Sequence, residues 1–210
     1  VEGKITKALR ERNIPFLTLP VPLWVNNPPI SNYRIRRTIW KIFKAIAPYN
    51  AIIRDLSIDI VYTNTSVTPI GRLAALLTQK PHVWHIREML DLHYEKTFVF
   101  SKWLSMKIIT SSKAIVCNSK AVRDHYFREK KDKIHVVYNG VASEKDFDQY
   151  KNICNEKKSS KEKIFAIVGT LHPNKCQDEA IKALADLKKR GHTARLFIVG
   201  DGNVDYKNYC

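Results

Sequence analysis

The feature that most constrains this chain is a repeated alternation: short apolar runs, each closed by a polar cluster and followed by a helical pattern. Ile58-Asp-Ile-Val-Tyr62, Pro81-His-Val-Trp-His-Ile86, Ala114-Ile-Val-Cys117 and Ile134-His-Val-Val-Tyr138 read as strands. Helical patterns run through about Gln79, from about Thr97 to Ser111, and from Lys120 to Arg128. The rhythm restarts with Ile164-Phe-Ala-Ile-Val168, a helix from about Gln177 to Lys189, and Leu196-Phe-Ile-Val199. Continuous apolar strands separated by helices predict a parallel sheet covered on both faces, an α/β, Rossmann-like doubly wound architecture. One nearly complete domain is expected over residues 1–140 and the start of a second over 163–210. A charged linker over 141–162, leading into Lys157-Lys-Ser-Ser-Lys-Glu-Lys163, would join them.

The region before the first of these strands is less regular. A helix through about Arg12 gives way to a short strand at Pro15-Phe-Leu-Thr-Leu19, and prolines at 20, 22, 28 and 29 mark an extended loop. From Asn32 to Leu56 a helical pattern gathers Ile35, Ile39, Ile42, Phe43, Ile46 and Ile53 near one face, and Pro48 is expected to kink or split it. Val1 opens on a helix in progress, and Cys210 closes shortly after a strand and a glycine turn. The chain is therefore expected to be an excerpt of something longer.

Charge narrows the partners. With 36 Lys and Arg against 20 Asp and Glu, the net charge of +16 favours nucleic acid, anionic membrane surfaces or phosphorylated ligands. No helix-turn-helix, RRM or zinc-finger signature is present, so no nucleic-acid partner is expected. Cys117, Cys154, Cys176 and Cys210 form no C-x-x-C pair and no zinc spacing, which predicts reduced thiols in the cytoplasm. No apolar run approaches the ~18 residues of a membrane span, and no signal peptide is visible. The helix Tyr33-Arg-Ile-Arg-Arg-Thr-Ile-Trp-Lys-Ile-Phe-Lys44 interleaves cations with large apolar groups. Such a helix either lies on an anionic membrane surface or packs its apolar stripe on the sheet with its cations solvated, the commoner arrangement.

Ligands of doubly wound sheets bind beyond the carboxyl ends of the strands, so the polar clusters there are the candidate sites. Asn64, Thr65 and Ser66 follow the first strand; helix capping is their commoner role, and contact with a sugar or phosphate oxygen is the alternative. His85 and Arg87 share one face if their strand extends that far. Together they suit hydrogen bonding to a hydroxyl and neutralisation of a phosphate. The plainer reading pairs Arg87 with Glu88 or Asp91 and satisfies His85 in the core. Asn118 and Ser119 open a helix as a cap, and Asn139-Gly140 supplies permissive turn angles. Gly169 stands at a strand end, with a helix dipole ahead and Lys175 beside it, an arrangement that favours a phosphate. It is neither a Walker loop nor a G-x-G-x-x-G turn.

Six segments in order resemble the family 4 retaining glycosyltransferases, which have the GT-B fold of two facing Rossmann-like domains. They are Asp59-Ile-Val-Tyr-Thr-Asn64, Trp84-His-Ile-Arg-Glu88, Ala114-Ile-Val-Cys-Asn-Ser119, Val136-Val-Tyr-Asn-Gly-Val141, Val168-Gly-Thr-Leu-His-Pro-Asn-Lys175 and Leu196-Phe-Ile-Val-Gly-Asp-Gly202. The resemblance implies transfer of a sugar from a nucleotide-diphosphate donor, bound mainly on the C-terminal domain, to a glycan or lipid-linked acceptor on the N-terminal one. It implies a donor-phosphate contact at Lys175, with Gly169 and Thr170 in the same loop, where Thr170 and Cys176 stand in place of the family's usual arginine and glycine. The family's interdomain histidine falls at Arg87-Glu88, so either Arg87 or His85 would act there, with Asn64, Thr65, Ser66, Glu88, Asn118, Ser119, Asn139 and Gly140 around the acceptor or interdomain cleft. Because transfer in this fold can rely on protein cations instead of a bound ion, the resemblance implies no metal, and no other cofactor is expected. The glycine-rich turn after the family's first strand and its acidic Glu-x7-Glu segment are not in this sequence, so the chain alone is expected not to catalyse transfer. A cytoplasmic enzyme, peripheral on the inner membrane face, of polysaccharide or glycolipid synthesis is the expectation. A nucleotide-sugar epimerase, or a non-catalytic anion- or membrane-binding module of the same fold, is the alternative.

Overall fold

A computed structural model describes residues 3–127, 132–155, 162–202 and 204–209. The chain forms two compact units, Val1–Asn139 and Gly140–Cys210. In the first, α1 (Lys4–Glu11), β1 (Val25–Asn26) and α2 (Asn32–Asp55) precede an alternation of β2 (Val61–Thr63), α3 (Ile70–Leu77) and β3 (His82–Ile86). A short α4 (Leu90–Tyr94) and β4 (Thr97–Phe98) follow, then α5 (Lys102–Thr110), β5 (Ala114–Cys117), α6 (Lys120–Tyr126) and β6 (Ile134–Val136). The sheet is parallel in the order β2-β3-β5-β6, the arrangement that crossover helices impose. Serine hydroxyls start three of the helices: Ser31, Ser101 and Ser119 accept from the amides of Arg34, Leu104 and Val122.

Alternation along β3 explains the core. His82, Trp84 and Ile86 are buried, whereas Val83 and His85 on the opposite face are half-buried. Ile115 and Cys117 of β5 join the buried side, where Trp24, Phe98, Ile109, Val122 and Phe127 complete one apolar cluster. Trp24 stacks on Trp84 with ring centroids 5.8 Å apart and meets Phe98 edge-on at 5.2 Å.

Four sequence expectations change here. Residues 15–19 are irregular, not a strand. Thr97 and Phe98 do not begin a helix; they pair antiparallel with Asn26 and Val25, and α5 starts only after the Ser101 cap. Of the two outcomes expected at Pro48, a split does not occur: α2 is continuous through it, with buried or half-buried Ile42, Ala45, Tyr49 and Ile53 on both sides. That stripe is also rotated from the predicted one, leaving Ile39 (51%), Trp40 (57%) and Phe43 (75%) exposed.

At the amino end of β3, His82 bridges two strand connections. Its Nε2 lies 2.8 Å from the Thr63 hydroxyl and its Nδ1 lies 2.9 Å from that of Ser112. Gly71 of α3 sits against this group, and a Cβ there would collide with the Thr63 hydroxyl.

The second unit contains α7 (Glu144–Asn155), β7 (Lys163–Val168), a 3-10 turn (Pro173–Lys175), α8 (Gln177–Lys189), β8 (Ala194–Val199) and α9 (Val204–Tyr209). β7 and β8 pair in parallel over six residues each. Residues 141–162 therefore include a helix, while positions 157–161 of the charged run lie outside the described residues, as does Arg128.

Candidate functional site

In the first unit the carboxyl ends of β2, β3, β5 and β6 bring most of the candidate residues together. The loop after β2 is held from three directions. The indoles of Trp24 and Trp84 donate to the carbonyls of Ser66 (2.8 Å) and Thr65 (2.7 Å). Glu88 Oε1, just past β3, accepts from the Thr65 hydroxyl (2.6 Å), the Ser66 amide (2.9 Å) and the Ser66 hydroxyl (3.1 Å). Thr65 and Ser66 therefore do not cap α3, whose N-cap is Pro69 without a side-chain bond. A carboxylate that collects three donors adds to the two indoles in fixing the geometry of this loop.

Glu88 is thus engaged with Thr65 and Ser66 and forms no ion pair with Arg87. Asp91 instead pairs with His125 at 2.8 Å. Both expected acidic partners of Arg87 are occupied elsewhere, which corrects the surface-pair reading. The Arg87 guanidinium reaches Asn139 Oδ1 at 3.4 Å, and its carbonyl accepts from Asn118 Nδ2 at 3.0 Å. Arg87, Asn118 and Asn139 thereby meet across the ends of β3, β5 and β6. Ser119 caps α6. Neither Asn139 nor Gly140 has a positive φ, so that turn does not use the permissive angles expected of Asn-Gly; Gly140 opens the second unit.

His85 lies on the half-buried face of β3. Its Nδ1 is 2.8 Å from the Tyr62 hydroxyl, and its Nε2 is buried with no partner. Burial, and then the Arg87 guanidinium, hold its pKa below the ordinary range, so the ring is neutral near pH 7. The ring therefore keeps one unused hydrogen-bonding nitrogen inside the fold. It is not the fully satisfied core histidine of the plainer reading. Asn64, Thr65, Arg87, Glu88, Tyr94 and Lys96 line a cavity of about 350 Å3 at this end of the sheet.

In the second unit Gly169, Thr170 and Lys175 belong to the loop between β7 and α8. The turn does not run straight into the helix: Cys176 adopts a left-handed conformation (φ 53°) between the 3-10 turn and α8. Lys175, the last residue of the 3-10 turn, is exposed and forms no ion pair among the described residues. The first turn of α8 is already engaged. The amide of Asp178 donates to the Tyr206 hydroxyl (3.2 Å), which in turn donates to the Asp178 carboxylate (2.7 Å). That hydrogen bond holds the Asp178 pKa below its usual range.

Four residues that sequence reasoning did not single out as site residues shape this loop. Gln177, fully buried, donates from Nε2 to the Thr170 carbonyl at 3.0 Å. Tyr206 holds the start of α8. Gly200 (φ 153°) and Gly202 lie so close to the loop that a Cβ on either would collide with the carbonyl oxygen of Gly169 or Leu171. The Gly-Asp-Gly spacing after a strand was the available signal for the two glycines.

Among the described residues no three His, Cys, Asp or Glu side chains gather as a metal site, and no helix is long and apolar enough to cross a membrane.

Comparison with known proteins adds family membership. No curated protein matches the chain. Among solved structures, the crystal structure of Acinetobacter baumannii MurG is similar at 17% identity with a TM-score of 0.49. That match covers 99% of this chain, which spans 59% of the MurG chain. Residues 148–209 match the family model described as Glycosyl transferases group 1. Residues 7–145, well over half of the sequence, match the model of Glycosyltransferase Family 4, and the chain belongs to that family of glycosyltransferases.

Proposed function

We propose that the chain is part of a retaining glycosyltransferase that transfers a sugar from a nucleotide-diphosphate donor to a glycan or lipid-linked acceptor. The donor diphosphate would be held by the loop of the second unit, with backbone amides near Gly169 and Thr170 and the ammonium of Lys175 as its contacts. Charge accumulating on the departing diphosphate would then be met by a protein cation, so the reaction needs no metal and no other cofactor. In the first unit the acceptor hydroxyl would lie at the carboxyl ends of the sheet beside the exposed Arg87 guanidinium, and His85 Nε2 would take part only after a local rearrangement uncovers it. His85, neutral near pH 7, suits hydrogen bonding to a sugar hydroxyl, and Arg87, held by Asn139, suits an anionic group.

The observation that carries the donor assignment is the ammonium of Lys175, exposed at the strand-to-helix loop without an acidic partner among the described residues. Binding is the appropriate test: a panel of nucleotide-diphosphate sugars is screened against the chain by thermal shift, since a ligand that binds only the folded state raises its melting temperature. Lys175→Ala should weaken the best donor by about tenfold, the worth of one charge-assisted phosphate contact. Unchanged affinity would exclude the loop as the diphosphate site.

A peripheral membrane location, on the cytoplasmic side, belongs to the same proposal. It is supported by the outward side of α2, where Tyr33, Ile39, Trp40 and Phe43 are exposed among Arg36, Arg37 and Lys44, with the Lys44 ammonium 3.7 Å from the centre of the Trp40 ring. Synthesis of a polysaccharide or glycolipid fits that location.

A further inference from the structure

A second cavity in the first unit adjoins the one at the sheet ends. It is an open cleft of about 1020 Å3 between the segment 21–27 and the first half of α2. Arg34, Arg37 and Lys41 recur on one side of α2 at helical spacing and line it, and Lys96 lines it too. Among the described residues no Asp or Glu contributes to its wall.

The fold positions Arg34 and Lys96 in particular. The Arg34 guanidinium donates to Asn26 Oδ1 at 2.6 Å, which fixes its direction. The register of the small antiparallel ladder, with Asn26 opposite Thr97, brings Lys96 beside that asparagine. Arg37, Lys41 and Lys96 make no ion pair among the described residues. Four like charges gathered around one cleft focus a positive potential that attracts an anion. Guanidinium forks and ammonium groups together match phosphate oxygens in number and geometry. Lys96 also lines the smaller cavity with Asn64, Arg87 and Glu88, so the two cavities meet at one side chain.

We infer that this cleft binds the phosphate or diphosphate group of the acceptor, with Arg34, Arg37, Lys41 and Lys96 as its ligands. The sugar end of the same molecule then extends past Lys96 to the carboxyl ends of the sheet. Calling the ligand the acceptor rests on the transferase reading; the anion specificity of the cleft does not.

The test is calorimetric titration of the chain with inorganic pyrophosphate and with geranyl diphosphate, in a Lys175→Ala background that removes the donor loop as a competing phosphate site. Arg37→Ala/Lys41→Ala should weaken binding about tenfold or more, as expected for the loss of two charge-assisted contacts. Arg37→Lys/Lys41→Arg should restore it, which separates lost charge from lost folding. The control Arg54→Ala/Lys80→Ala removes the same charge outside the cleft and should leave affinity within about twofold. Much tighter binding of geranyl diphosphate than of pyrophosphate identifies a lipid-borne phosphate, and equal affinity a soluble phosphorylated glycan; either supports the site. The inference is overturned if the parent shows no saturable binding, if the cleft variant binds like the parent, or if the control loses as much. Failure of donor binding in the separate thermal-shift screen would remove the transferase reading and leave the cleft as an anion site.

Discussion

The interaction with the clearest pH signature is His82. Its imidazole is buried between the hydroxyls of Thr63 and Ser112, and burial, followed by the nearby Arg72 guanidinium, lowers its pKa from 6.5 to about 4. Above pH 6.5 the ring is neutral in the folded and unfolded chain alike, and the shift contributes nothing. Between pH 6.5 and 4 the unfolded chain takes up a proton that the folded one refuses, so stability falls as pH falls. Below 4 both states are protonated and the loss is complete. The interval of 2.5 units corresponds to about 3 kcal/mol, a large part of the net stability of a small unit. Urea unfolding at a series of pH values between 4 and 7.5 measures this, followed by tryptophan fluorescence because the His82 ring lies edge-on to Trp84 at 5.3 Å. His82→Gln keeps a donor and an acceptor but does not titrate. It should cost about 1–2 kcal/mol at pH 7 and flatten the acid-side loss by about 3 kcal/mol. If wild type and variant lose stability in parallel below pH 6.5, other groups are responsible and the reasoning fails.

Three further outcomes are expected. Glu88→Gln replaces a charged acceptor of three hydrogen bonds and should destabilise the first unit by about 1.5–3 kcal/mol, with Glu88→Ala costing more; an unfolding midpoint unmoved by the alanine would show that the two indoles alone hold the loop. Gly200→Ala combines a positive φ with a Cβ on the Gly169 carbonyl and should cost the second unit about 2 kcal/mol or more by chemical denaturation, whereas Gly140→Ala, with open space around it, should be neutral. Co-sedimentation with anionic vesicles should fall about tenfold in Trp40→Ala/Phe43→Ala, because two exposed rings lose their apolar contact; equal sedimentation of variant and wild type would exclude α2 as the membrane contact.

Much of this protein is fixed by its sequence. The strand at 114–117 and the helix at 177–189 fall where their apolar periods place them, because alternation and capping are local signals. The parallel α/β class follows from the same rhythm, and the order of its segments carries the family. Tertiary structure decided what no local pattern encodes. Whether Thr97 and Phe98 continue into a helix or pair with Val25 and Asn26 depends on a partner some seventy residues away in the chain. The buried side of α2 was set by what it packs on, and that turned Trp40 and Phe43 outward. Glu88 could have paired with the adjacent Arg87, and only the fold brings Thr65 and Ser66 close enough to take it instead. The basic cleft has the same origin: Arg34, Arg37 and Lys41 are visible in sequence as one side of a helix, but Lys96 joins them through strand register. Periodicity reports how a segment faces its immediate surroundings, whereas charge partners and cavities are set by pairings between segments far apart in the chain.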